Sequence, residues 1–121
     1  QQWSLDIGEK TMRTMRVKRR FFDLIHSGKK TLEVRVGYDS INRIQAGEHI
    51  RLVTHTGSFD VRVSAVRRYQ TFEEMLKTEP YERIAPDARS HAEVLSLFRQ
   101  IYSADKEKLG VIVLELVRIG K

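Results

Sequence analysis

The sequence predicts an α+β fold: a small, partly closed β-barrel of five or six strands, with helices packed on its outside and ends. Three observations carry that prediction. Residues 31–36 (TLEVRV) alternate cleanly between apolar and polar, and residues 110–119 (GVIVLELVRI) are almost continuously apolar and β-branched. Two helix starts with capping-box spacing also fall late in the chain, just before that last apolar run. Strands grouped around late helices suit a sheet that curls on itself with helices laid against it.

Taken in order, residues 11–17 (TMRTMRV) read as a first strand with imperfect alternation, Met12, Thr14 and Arg16 on one face. Residues 18–27 (KRRFFDLIHS) place Phe21, Phe22, Leu24 and Ile25 at helical spacing, and Gly28 is positioned to stop that helix. Successive side chains of a strand point to opposite faces. In residues 31–36, Leu32, Val34 and Val36 therefore share one face and Thr31, Glu33 and Arg35 the other. The following GYDSINRIQAGE reads as a loop with one helical turn, Gly47 suiting a C-terminal cap. Residues 48–54 and 58–68 form a hairpin around His55-Thr56-Gly57, with Val61, Val63 and Ala65 on its buried face. Thr71 stands three residues before Glu74, and Ser90 three before Glu93, so each hydroxyl and carboxylate can satisfy orphan N–H groups of a helix's first turn. Beyond Ser90, the residues Val94, Leu95, Phe98, Ile101 and Tyr102 make an apolar stripe at helical spacing. Residues 110–119 complete the set as a strand buried on both sides.

With 121 residues and no internal repeat or linker, the chain holds one domain, residues 11–121. Residues 1–10 read as an amino-terminal extension, or a remnant left by trimming a longer protein. There is no cysteine, which excludes disulfide frameworks, thiolate zinc sites and cysteine nucleophiles, and fits a cytoplasmic location. No apolar run approaches the roughly 18–20 residues of a spanning helix, so no membrane partner is expected. His26, His49, His55 and His91 show no metal-ligand spacing, and no acidic cluster completes a site, so no metal is expected. Phosphate-cradling GxxxxGK[ST] and GxGxxG loops are absent, which argues against nucleoside triphosphate hydrolysis and against a dinucleotide or other cofactor. Oligomeric state leaves no signature.

The charge is unevenly spread. Lysine and arginine number 22 against 16 acids, a formal +6, and residues 10–35 hold nine basic side chains against only Asp23 and Glu33. That segregation suits an anionic partner such as a phosphate backbone, although a solvated helix end has the same composition. Lys18, Arg19 and Arg20 of the helix, with the strand before it, are the candidate phosphate contacts, and Lys29 is a further candidate RNA-binding residue.

The sharpest chemistry lies in Gly28-Lys29-Lys30-Thr31-Leu32-Glu33-Val34-Arg35. Gly28 ends a basic helix, and Glu33 and Arg35 project from one strand face with Lys30 at its mouth. Two readings are open. The charges are simply solvated on an outer face, or the face lines a concavity in which Glu33 holds Lys30 and Arg35 in place.

Gly28-x-Lys30-x-x-Glu33-x-Arg35 resembles the GxKxxExR signature of the ASCH family, small domains of the PUA-like superfamily. The likeness extends in order over residues 11–119, through FFDLIHSGKK, RIQAGEHIRL, RRYQTFEEML and RQIYSADKEKLGVIVLEL. The resemblance implies a PUA-like β-barrel of five or six strands, a cleft lined by the signature residues, and RNA or a nucleoside or nucleotide as ligand. One branch of the family removes the acetyl group of N4-acetylcytidine with a lysine-activated threonine and a supporting acid, and another member is a ribonuclease. Lys30 matches that branch's lysine, but Glu33 stands where its threonine nucleophile would be, and Thr31 lies two residues too early. A carboxylate there suits a general base for water or an electrostatic clamp. The supporting acid would come from Glu79, Glu82 or Asp87.

Binding of RNA or a nucleoside is thus the leading expectation, through Lys18, Arg19, Arg20, Lys29, Lys30, Glu33, Arg35 and Tyr38. A small amidohydrolase or ribonuclease using Lys30, Glu33 and Tyr102 is the alternative. Tyr38, just past the signature strand, is either a stacking platform for a base or a packed rim residue.

Overall fold

The structure is a computed structural model that describes residues 12–120. The predicted extension, residues 1–10, and the first residue of the predicted first strand, Thr11, lie outside the described residues. Strand β1 (Arg13–Arg16) is followed by helix α1 (Arg19–His26), β2 (Leu32–Val36), α2 (Asp39–Asn42), β3 (His49–Thr54) and β4 (Gly57–Tyr69). Four helices follow: α3 (Phe72–Thr78), α4 (Tyr81–Ile84), α5 (His91–Ile101) and α6 (Ala104–Glu107). Strand β5 (Val111–Arg118) then ends the domain.

The five strands form one sheet in the order β1-β3-β4-β5-β2, with β1 parallel to β3 and the other pairs antiparallel. The sheet curls into a half-barrel with the helices packed around it. Its two edge strands come close enough for the Arg35 guanidinium of β2 to donate to the Arg16 carbonyl of β1 at 3.1 Å. A side chain, not a backbone ladder, spans that seam.

Both faces of the sheet are packed at β5, which is why its sequence is apolar almost throughout. Ile112, Leu114 and Leu116 enter the inner core with Met15, Phe22, Ile25, Leu52 and Val63. Val111 and Val113 enter an outer core with Val34, Phe72, Met75 and Val94, roofed by α3 and α5. α3 and α5 start with the predicted hydroxyl caps, Thr71 accepting from the Glu74 N–H at 3.0 Å and Ser90 from that of Glu93 at 3.1 Å. The Glu74 and Glu93 carboxylates accept from the N–H groups of Gln70 and Arg89, one residue before each cap. Gly28 ends α1 at φ +86°, a left-handed conformation that suits glycine.

Four details depart from expectation. A bulge between Val63 and Ala65 shifts the β4 register by one residue. Val61 and Val63 stay in the inner core, while Ala65 turns to the other face together with Arg67 and Tyr69. Gly47 caps no helix; α2 ends at Asn42, and Gly47 forms the turn into β3 with its N–H on the Val63 carbonyl. Ile101, at the last turn of α5, is 64% exposed and leaves the apolar stripe. The stretch between the long late helices also contains α4, which packs against β2.

Candidate functional site

Register decides where the signature points. Glu33 pairs with Leu114 and Arg35 with Ile112, so both charged side chains share the inner face with those two core residues. Lys30 arrives from the opposite direction. The left-handed Gly28 turns the chain back, the Lys30 N–H bonds to the Leu24 carbonyl at 3.0 Å, and its side chain runs inward. Lys30 is 4% exposed and Glu33 7%, so the reading of these charges as a solvated outer face is ruled out for both.

The buried groups satisfy one another. The Glu33 Oε1 atom lies 3.3 Å from Lys30 Nζ, and its Oε2 accepts from Arg35 Nε at 2.7 Å. Lys30 Nζ also donates to the Leu32 carbonyl at 2.6 Å and to that of Ile84 in α4 at 2.7 Å, and it sits over the Phe21 ring. Burial would raise the Glu33 carboxyl, but the charges of Lys30 and Arg35 outweigh it and hold the pKa below the usual value. Burial lowers the Lys30 ammonium, with Arg35 adding to the fall and Glu33 opposing it. Three acceptors surround Nζ, so every ammonium proton has a partner and a neutral amine would leave one acceptor without a donor. Lys30 is built as a charged clamp.

Arg35 carries the site outward: its side chain is 25% exposed while those of Lys30 and Glu33 are sealed. Tyr38, two residues after β2, is 41% exposed, with the Lys106 ammonium 5.2 Å from its ring centroid. The Tyr102 ring stacks on Phe72 at 5.7 Å. Burial raises its hydroxyl pKa, the charge of Arg35 pulls it back, and Glu33 and Tyr38 add to the rise, so the phenol lies within the field of the pair. Lys106 had no sequence signal, because it joins the rim only when α6 folds back.

The basic residues of the amino-terminal segment are outside this centre. Lys18, Arg19, Arg20 and Lys29 are all exposed. Arg19 bonds Asp23 and Thr56, and Arg20 lies 3.7 Å from Asp87 and over the Phe21 ring. Asp87 is linked to the signature only through Arg20, whose guanidinium shares the Phe21 ring with Lys30. Glu82 is exposed on α4. Glu79 belongs elsewhere. It is 4% exposed and binds Arg67 twice, at 2.6 and 3.0 Å, and the Tyr69 hydroxyl at 2.5 Å, on the sheet face opposite Glu33. Glu115 completes this second cluster through Arg67 Nη1 at 2.8 Å. Residue pattern alone missed it, because only the β4 bulge turns Arg67 and Tyr69 to that side.

Among the described residues no cluster of histidines and acids could hold a metal ion, and no helix is long and apolar enough to cross a membrane. Residues 15–119 match the family model described as the ASCH domain. The fold is similar to that of the hypothetical protein PH0355, with a TM-score of 0.81 and 31% identity over 90% of this chain and 100% of that one. It is also similar to the protein PF0455 from Pyrococcus furiosus, with a TM-score of 0.75 and 30% identity over 92% of this chain and 100% of that one. An ASCH protein from Zymomonas mobilis shares the fold at a TM-score of 0.60 and 16% identity, over 86% of this chain and 66% of its own. No curated protein matches the sequence.

Proposed function

Because the chain belongs to the ASCH domain family, whose members are generally RNA-binding or hydrolase-like, we propose that it binds single-stranded RNA or a nucleoside by the polar edge of one base. The observation that carries this reading is the buried Glu33, held between Lys30 and Arg35, with only Arg35 and the neighbouring Tyr38 reaching solvent. Glu33 is sealed and holds Arg35 in place, so the groups offered to a ligand are the guanidinium donors of Arg35. An unpaired base offers the complement, a ring nitrogen or carbonyl acceptor on its edge. Tyr38 supplies a flat face on which that base stacks, worth roughly 1–3 kcal/mol. Burying the Lys30 and Glu33 charges is costly, and fixing Arg35 in one geometry before a ligand arrives is a reason to retain them.

The clamp geometry favours binding over hydrolysis. Lys30 can act as a base only by giving up a proton already shared with two carbonyls and a carboxylate. Glu33, with its pKa lowered and both oxygens engaged, is a weak base for water. Fluorescence anisotropy with a labelled single-stranded RNA tests the proposal. Affinity should fall with salt at a slope near −0.7 for each phosphate neutralised, and Arg35→Gln should weaken binding of a free nucleoside as well. Absence of any binding at low salt would contradict it.

A further inference from the structure

The helices roof only part of the sheet's outer face. Over β1, β3 and the first half of β4 the outward side chains Thr14, Arg16, His49, Arg51, Ser58 and Arg62 are exposed. Register places the three arginines on one line. Arg16 pairs with Val53 of β3, Arg51 lies two residues back along β3, and Arg62 pairs with His49, two residues further back. Each step thus crosses one strand and moves two residues along, about 8 Å between Cα atoms from the ordinary strand spacing and rise. One acid shares the patch, Asp60, and it is committed to Arg51 at 2.9 Å. Among the described residues neither Arg16 nor Arg62 makes a side-chain hydrogen bond or ion pair. The line also begins at the candidate site, since the Arg16 carbonyl is the group that receives Arg35.

We infer that this arginine diagonal is a second contact surface for single-stranded RNA, gripping backbone phosphates of the strand whose base enters the Glu33 site. The inference rests on the function proposed above and extends it from one base to an oligonucleotide. The strand would cross the β1 edge beside Arg35 and then run over Arg16, Arg51 and Arg62. Guanidinium groups suit this task because they bind phosphate oxygens through two parallel N–H bonds. Contacts to backbone phosphates carry no sequence information, so the diagonal adds affinity without sequence preference.

The test compares a mononucleoside with a labelled single-stranded RNA of about ten nucleotides, on the native chain and on Arg16→Gln, Arg62→Gln and the double variant. Both side chains are exposed and make no side-chain bond among the described residues, so thermal melts should coincide with that of the native chain and exclude misfolding. Each phosphate contact contributes about 0.7 to the salt slope, so raising salt from about 50 to 200 mM costs about 2.6-fold in affinity per contact. Each single variant should lose about one such factor of salt sensitivity and the double variant two, while nucleoside affinity stays unchanged. RNA binding with the native slope in the double variant would overturn the second surface and leave the base site standing. Failure of the native chain to bind either ligand would overturn both.

Discussion

Replacing Glu33 by glutamine changes one oxygen for an NH₂ group and removes one charge from a site with almost no water. Lys30 Nζ keeps its carbonyl acceptors at 2.6 and 2.7 Å but loses the carboxylate at 3.3 Å. Arg35 Nε stands 2.7 Å from the other oxygen, so either orientation of the amide turns its NH₂ group toward a cation. Removing one partner of a buried pair costs roughly 3–5 kcal/mol, because the remaining charge has no compensation. Arg35 is partly exposed and regains water, which places the loss at the lower end, about 3 kcal/mol. At roughly 4 °C per kcal/mol for a domain of this size, Tm should fall by about 12 °C at pH 7 in a circular-dichroism melt. The pH dependence supplies a second reading. The folded pKa of Glu33 lies below its ordinary 4.5, so its contribution is complete above that value and is lost as pH falls through the lower folded pKa. The gap between native and Glu33→Gln proteins should therefore narrow below pH 4.5. A variant melting within about 2 °C of the native protein, or a gap constant with pH, would refute the buried-pair account.

Four further outcomes follow from the structure. The double variant Lys30→Met, Glu33→Leu removes both charges but leaves the Leu32 and Ile84 carbonyls without their donor, so in a urea melt it should cost less than the two single variants summed, while binding no nucleoside. Lys30→Met alone leaves the buried Glu33 carboxylate with Arg35 as its one cation and two carbonyls without a donor, and should cost about 3 kcal/mol. Glu79→Gln should destabilise by about 2 kcal/mol, discounted for the exposure of Arg67, and leave RNA affinity unchanged because its cluster lies on the other sheet face. Gly37→Ala would set a Cβ against the backbone carbonyl oxygen of Leu109 where nothing flexible can yield, so a loss of about 1–3 kcal/mol is expected in the same urea assay.

How much of this was legible in the sequence depends on the range of the interaction involved. The faces of residues 31–36, the double-sided burial of β5, the stop at Gly28 and both capped helices follow from local spacing, and all are present. Whether Glu33 and Arg35 faced solvent or core was undecidable locally, since the same alternation serves an outer face equally well. The answer came from which strand β2 joined and on which side. Backbone groups were invisible for a related reason: the carbonyls of Arg16 and Ile84, which hold Arg35 and Lys30, have no side-chain signature. The bulge at Val63/Ala65 is set by pairing with β5, and it alone turned Ala65 away from the inner core and moved Arg67 to meet Glu79. Of the three acids open to choice, Glu79 was thus assigned to another cluster by a single extra residue in a strand.

The proposed base-reading clamp of Glu33, Lys30 and Arg35 opens to solvent at Arg35 and Tyr38. Titrating a nucleoside into nitrogen-15-labelled protein tests it directly, through the Arg35 Nε–H resonance and the backbone amides of residues 34–38. Saturable shifts concentrated there, absent in the Arg35→Gln variant, are the predicted result. Shifts confined to the groove of about 440 Å³ lined by Glu73, Leu76, Lys77, His91, Ala92 and Leu95, with Arg35 unmoved, would contradict it.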